Sequence, residues 1–277
     1  NLQDRRVLCR VRQQRRLAAG TDRAVHQKQR PLDQRGGIAQ RVQILAEAAE
    51  NVLLPLGLGM TAGSLIAALG IGAALGATTL GLPIDADGVR SIVDYLRQHE
   101  LRDIVLVGHS FGGSIVSRVA EEVPQRLRRL VYWNAFVLRD GESIADVSPP
   151  AYNRMMDEIA ARSPDNTVTL PFHVWRDSFI GDAGLGVARH TYGLLSPEPY
   201  RMLTDKVPLK IFEQLEVPRT YLNAQADVAM PPGRYAWFPR FAERLFPCRV
   251  VHMPGSHQVM FSDPAGLARK LWEAGRD

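Results

Sequence analysis

Leu106-Val107-Gly108-His109-Ser110-Phe111-Gly112-Gly113 is the stretch on which the reading of this 277-residue chain turns. It completes Asp103-Ile104-Val105-Leu106-Val107, a short apolar run rich in β-branched residues that reads as a strand buried on both faces. It leads into Ser114 to Glu122, which reads as a helix. A Gly-x-Ser-x-Gly turn between strand and helix sets its serine at the apex of a strained bend. The neighbours of the serine must then lack side chains, so Gly108 and Gly112 allow strand and helix to approach closely. The helix N-terminus points at the serine and favours negative charge developing there. In this reading Ser110 is a nucleophile and the backbone N–H of Phe111 an oxyanion donor. The plain alternative is an ordinary glycine-rich turn. The flanking strand and helix, with His109 and Gly113, argue for the nucleophile.

Outward from this turn the pattern alternates. Val89 to Gln98 carries apolar residues at helical spacing (Val89, Ile92, Val93, Leu96). Leu127 to Trp133, Arg219 to Asn223 and Arg249 to Met253 read as strands, and Pro264 to Ala274 as a final helix. Strands alternating with helices predict an α/β chain with a mostly parallel, doubly wound sheet. Between Val137 and Leu215 prolines and aromatics become frequent and helical pieces short. Residues 137–215 are therefore expected to form an inserted cap on a core made of residues 51–136 and 216–277.

Composition narrows the function classes. Apolar residues make up 45% and charged residues 23%, ordinary globular values that exclude a disordered polymer or a collagen-like repeat. Two cysteines, Cys9 and Cys248, cannot staple a chain of this length, and no Cys/His spacing suggests a metal site. The net charge of +5 is concentrated in residues 1–50, where ten Arg and one Lys face five acids. The rest of the chain is near neutral and has no nucleic-acid footprint. Residues 1–50 read as a basic, solvated extension. Residues 51–84 carry no charge, which formally suggests a membrane span. Pro55 and seven glycines interrupt any such helix, so buried strands with a glycine-rich turn and a short helix are expected instead. No export signal is visible, and a cytoplasmic location is expected.

A nucleophilic serine needs a base and an orienting acid. His257, in Met253-Pro254-Gly255-Ser256-His257, falls in a loop between a strand and the last helix and suits the base. His252 lies within a strand and reads as structural, and His173 and His190 lie in the cap. Asp227 follows the strand Arg219 to Asn223, at the C-terminal end where function concentrates in open α/β sheets. Asp140 is the rival acid, and Asp177, Asp182 and Asp205 read as solvated cap charges.

These motifs resemble the α/β-hydrolases, and among them the small-capped esterases that include methyl-salicylate-type esterases, hydroxynitrile lyases and bacterial relatives. The matching pieces are Leu106 to Gly113, Leu130 to Phe136, Tyr221 to Pro231 and Gly255-Ser256-His257 ahead of Asp263 to Ala268. The resemblance implies an α/β-hydrolase fold with a small helical cap and a Ser110–His257–Asp227 triad that cleaves carboxylic esters through an acyl-enzyme. It implies no cofactor and no metal. The family places a His-Gly pair beside its second oxyanion donor. No His-Gly occurs here, and the counterpart is Leu56-Gly57-Leu58-Gly59, after the run Val52 to Leu54, with Leu58 as the donor. Gln258 stands where the lyases carry a lysine, which argues against lyase chemistry. An amidase or perhydrolase with the same triad and a non-catalytic ligand-binding protein are the alternatives. His109, Phe136, Trp175, Phe179 and Met260 are candidate substrate contacts, with Phe172 and Tyr192 as further candidate walls. The expected partner is a small to medium ester. Neither nucleic acid nor membrane is expected, and a homodimer is compatible with the sequence.

Overall fold

Five parallel strands in the order β1-β2-β3-β6-β7 form the sheet of the computed structural model, which describes residues 65–69 and 84–276. The strands are β1 (Leu65–Leu69), β2 (Ile104–Ser110), β3 (Leu127–Ala135), β6 (Arg219–Ala224) and β7 (Arg249–Met253). A separate antiparallel pair joins β4 (Thr167–Val168) to β5 (Glu198–Pro199). The basic extension 1–50, the run Val52 to Leu54 and the Leu56–Gly59 loop with Leu58 lie outside the described residues.

The two-residue period of the central strands divides the core. Ile104 and Leu106 of β2 and Leu130 and Tyr132 of β3 enter one apolar cluster. Val105, Val107, Val131 and Trp133 enter a second cluster on the opposite face. Apolar side chains on both faces are what a parallel sheet between helical layers requires. Helix α1 (Ile84–Gln98) offers Val89, Val93 and Leu96 at helical spacing to the first cluster, and α2 (Gly112–Glu122) adds Ile115, Val116, Val119 and Ala120. On the other face the last helix, Pro264–Gly275, buries Leu267, Leu271 and Ala274. Its start is set by Asp263, whose Oδ1 accepts from Gly266 N at 2.8 Å.

Between β3 and β6 the chain forms short pieces. They include a helix at Pro150–Arg162, a π-helical turn at Trp175–Phe179 and a helix at Leu185–Tyr192. Trp175, Ile180, Ala183 and Ala188 make a small apolar cluster of their own, while Met156, Leu203 and Phe212 join the main core. Among the described residues no helix is long and apolar enough to cross a membrane.

Candidate active site

Ser110 ends β2 with φ of +54°, a left-handed conformation that a residue with a Cβ adopts at a cost. The glycines around it explain how the bend is held. A Cβ on Gly108 would lie 2.7 Å from the Gly112 carbonyl oxygen, and one on Gly113 would lie 2.2 Å from that of Phe136. The strand, the following helix and the end of β3 therefore meet at van der Waals contact only because these positions carry no side chain. Phe136 N donates to Ser110 O at 3.0 Å and ties the turn to β3. Phe111 leads directly into α2, and Ser114 Oγ donates to the Phe111 carbonyl at 2.8 Å.

His257 and Asp227 come together across two loops. The loop after β6 is tied to the strand and loop that follow it by Gln225 N to Met253 O at 2.9 Å and Ala226 N to Gly255 O at 3.1 Å. His257 Nδ1 then lies 2.6 Å from Asp227 Oδ2, with both side chains at most 1% exposed. The second carboxylate oxygen accepts from Ala229 N at 2.9 Å. Asp140, the rival acid, sits at the surface instead, where Lys210 and Leu209 N hold its carboxylate. The Lys210 hydrogen bond, followed by that from Leu209, keeps it ionised below the ordinary carboxyl range.

Three further contacts of the site fall on residues that the sequence does not single out as site candidates. Asn134, at the end of β3 with φ of +34°, donates from Nδ2 to Asp227 Oδ2 at 2.5 Å and to Ala224 O at 3.2 Å. Its Oδ1 accepts from Ala224 N at 2.7 Å, so the amide is clamped at both ends. Trp237 stacks on the His257 ring at 5.2 Å and 11°. Asp182 is exposed, as its reading as a solvated charge expects, but it is also bonded: its carboxylate accepts from Ser256 N at 2.9 Å, Ser256 Oγ at 2.6 Å and Ser262 Oγ at 2.8 Å. Gln258 N donates to Phe179 O at 2.9 Å, so the residues on either side of His257 are both held by the 179–182 turn.

His109 lies between two rings, stacked on Trp133 at 4.0 Å and facing His257 at 4.5 Å. Burial, reinforced by the neighbouring His257, pushes its pKa well below the usual imidazole value and keeps it neutral. The Nε2 of His257 is buried and makes no hydrogen bond among the described residues, which leaves it available to a reacting group.

A cavity of about 160 Å³ opens over Ser110 and His257. Of the expected substrate contacts, His109, Phe136, Trp175 and Phe179 line it, as does Phe111. Ile144, Met156, Val168, Leu170, Leu195, Met202 and Leu203 complete an apolar wall, and Tyr152, Thr169, Ser196, Glu198 and Gln258 are its other polar residues. Met260 corrects its expected role: it does not line the cavity but packs against the second core cluster, beside the last helix. Phe172 and Tyr192 are likewise displaced into the small cluster, where their rings meet edge to face at 5.2 Å. His173 and His190 are exposed and away from the cavity. No group of three or more His, Cys, Asp or Glu among the described residues has metal-binding geometry.

The Alpha/beta hydrolase family matches residues 37–270. The chain belongs to this family. It is similar to an extracellular alpha/beta-hydrolase from a Paenibacillus species, described as sharing structural and functional homology with tobacco salicylic acid binding protein 2. That structure is 36% identical with a TM-score of 0.68 and aligns over 70% of this chain and 80% of its own. The carbendazim hydrolyzing esterase of Nocardioides sp. (strain SG-4G) is 27% identical over 68% of this chain and 77% of that protein. An Arabidopsis methylesterase, 21% identical with a TM-score of 0.52 over 69% of this chain and 77% of its own, shares the fold. The chain spans about half the length of the chloroplastic Arabidopsis thaliana methylesterases it also matches. The hydrolase fold and the methyl-salicylate-type esterase branch expected from the sequence are both borne out.

Proposed function

We propose that this hydrolase is a serine esterase that cleaves small to medium carboxylic esters through an acyl-enzyme. The observation that carries the reading is the buried 2.6 Å contact of His257 Nδ1 with Asp227 Oδ2, on a histidine whose Nε2 is unpartnered and which shares a cavity with Ser110. The carbendazim hydrolyzing esterase among its relatives supports the same chemistry.

In this mechanism His257 Nε2 takes the proton of Ser110 as its Oγ attacks the ester carbonyl. Asp227 holds the imidazole with its proton on Nδ1 and stabilises the imidazolium that forms. The Phe111 N–H, at the N-terminal end of α2, donates to the oxyanion, and Leu58 N–H is the proposed second donor. His257 then protonates the departing alcohol, and water activated by the same imidazole releases the acid. No step requires a metal or cofactor. Residues 137–215 serve as the cap on a core of 51–136 and 216–277, and a cavity of about 160 Å³ suits a group the size of one aromatic ring. A cytoplasmic location belongs to the same reading.

The test is hydrolysis of p-nitrophenyl and methyl aromatic esters by the wild-type protein and Ser110→Ala in parallel, with labelling by a fluorophosphonate. Turnover should fall by several orders of magnitude in the variant and labelling should vanish. Near-full turnover in Ser110→Ala would overturn the assignment.

A further inference from the structure

The His257 imidazole is enclosed by rings. Trp237 lies nearly parallel to it, with centroids 5.2 Å and planes 11° apart. Phe179 meets it edge to face at 5.2 Å, and His109 faces it at 4.5 Å. Trp237 is 3% exposed and is not among the residues that line the cavity. It reaches the reaction only through His257.

Packing holds the indole in this pose. Phe136 meets it at 4.8 Å and Phe241 at 5.7 Å. Its Nε1 is buried and makes no hydrogen bond among the described residues. A buried indole N–H ordinarily finds an acceptor, so this orientation forgoes a hydrogen bond. What it secures is a ring face against the imidazole. An aromatic face is negative, that of tryptophan most of all. It attracts a cation within about 6 Å, and more strongly where water is excluded. The His257 side chain, 1% exposed, is in such a place. In the mechanism above the imidazole becomes a cation as it takes the serine proton.

We propose that Trp237 is a positioning residue whose ring face stabilises the His257 imidazolium formed as Ser110 attacks. The proposal rests on the esterase reading above. Asp227 meets the same charge through Nδ1, at the ring edge, and Trp237 meets it at the ring face. The other titratable groups around the base stay constant when Trp237 is changed. His109 lies on β2, Glu198 lines the cavity, and Asp182 holds the base loop through Ser256. Tyr221 donates to the Trp237 carbonyl at 3.5 Å. Arg234 and Arg240, near Trp237 in the chain, lie over the Tyr235 and Phe241 rings.

The experiment follows kcat/KM for p-nitrophenyl acetate, and the rate of fluorophosphonate labelling of Ser110, from pH 4 to pH 9. Both profiles report the free enzyme, and the reading is the pH of half-maximal rate on the acid side. Trp237→Phe keeps a weaker face and Trp237→Leu keeps none. The acidic midpoint should fall in that order, by about one pH unit in Trp237→Leu. Loosened packing acts in the opposite direction, since water reaching the imidazole favours its charged form and raises the midpoint. Fluorinated tryptophan is the second arm, because fluorine withdraws charge from the ring face at nearly constant shape. It replaces all four tryptophans of the wild-type chain but only the other three in Trp237→Phe. It should lower the wild-type midpoint and leave that of Trp237→Phe in place, and it decides alone if Trp237→Leu fails to fold. A midpoint that stays or rises in Trp237→Leu overturns the proposal. So does a fluorine effect that is absent from wild type or equal in Trp237→Phe. Either result, with labelling intact, leaves the esterase reading standing. Absence of both turnover and labelling in wild type overturns both.

Discussion

Asn134 Nδ2 stands 2.5 Å from Asp227 Oδ2, the same oxygen that faces His257 Nδ1 at 2.6 Å. One carboxylate oxygen thus receives a donor from each side, and the amide, anchored through Ala224 N, fixes its direction. An aspartate at position 134 would set two carboxyl groups against each other, and they cannot both ionise at that distance. One pKa then rises in the folded state above its unfolded value of about 4. A raised carboxyl pKa contributes stability below about pH 4 that is lost as pH rises. Asn134→Asp should therefore lose more Tm relative to wild type at pH 8 than at pH 5, with a lower kcat. A Tm deficit constant between those pH values would refute the clamp.

The closeness of the turn at Gly113 makes a second expectation. A Cβ there would lie 2.2 Å from the Phe136 carbonyl oxygen and 3.0 Å from the Ala135 Cβ, so strand and helix must separate. Gly113→Ala should cost about 3 kcal/mol or more in urea unfolding. Gly141, with φ of +75° and nothing within 4 Å of its Cβ position, should cost only about 1 kcal/mol when changed to Ala. Equal costs would show that the elbow relaxes freely.

Asp182 should show its role through pH. Burial opposes its ionisation, but the hydrogen bonds from Ser256 and Ser262 outweigh burial and hold its pKa below the ordinary value. A depressed carboxyl pKa gives stability that is present above about pH 4 and lost as pH falls through the folded value. The Tm gap between wild type and Asp182→Ala should be open at pH 7 and narrow toward pH 3. The same variant should lower kcat severalfold, since the loop of His257, the proposed base, loses its anchor. A gap that widens in acid would contradict this.

His109 titrates in the opposite sense to a salt-bridged histidine. It is buried and its pKa is depressed, by burial first and then by His257. The unfolded chain takes up a proton below about pH 6.5 that the native state refuses. Native stability should then fall as pH drops below 6.5. Thermal scans of His109→Gln at pH 7.5 and 5.5 should show a smaller fall than wild type, with His257 and Asp227 common to both proteins. An equal fall would place the acid sensitivity elsewhere.

Much of this arrangement is legible in the sequence, for local reasons. The runs Ile104 to Val107 and Leu130 to Trp133 are apolar on both faces, so their place in the sheet follows from pattern alone. Their ends do not. Read by pattern, the strands stop at Val107 and Trp133, whereas pairing carries β2 to Ser110 and β3 to Ala135 through polar and small residues. Ser110, His257 and Asp227 stand out by residue type and order. Asn134 and Asp182 do not, because their partners lie 93 and 74 residues away and no short-range spacing announces them. Met260 misleads for a similar reason: its distance in sequence from His257 is short, but the turn at Val259–Ser262 directs it to the other side.

The bonds from Phe179 and Asp182 to the loop of His257 have a consequence for engineering. Exchanging caps between related hydrolases is an obvious route to a new substrate range. Here the 179–182 turn is an external splint for His257, the proposed base, so a chimera that replaces it would inherit a new pocket and a loosened imidazole together. A graft that keeps Phe179 to Asp182 and varies only the walls before and after them separates selectivity from turnover.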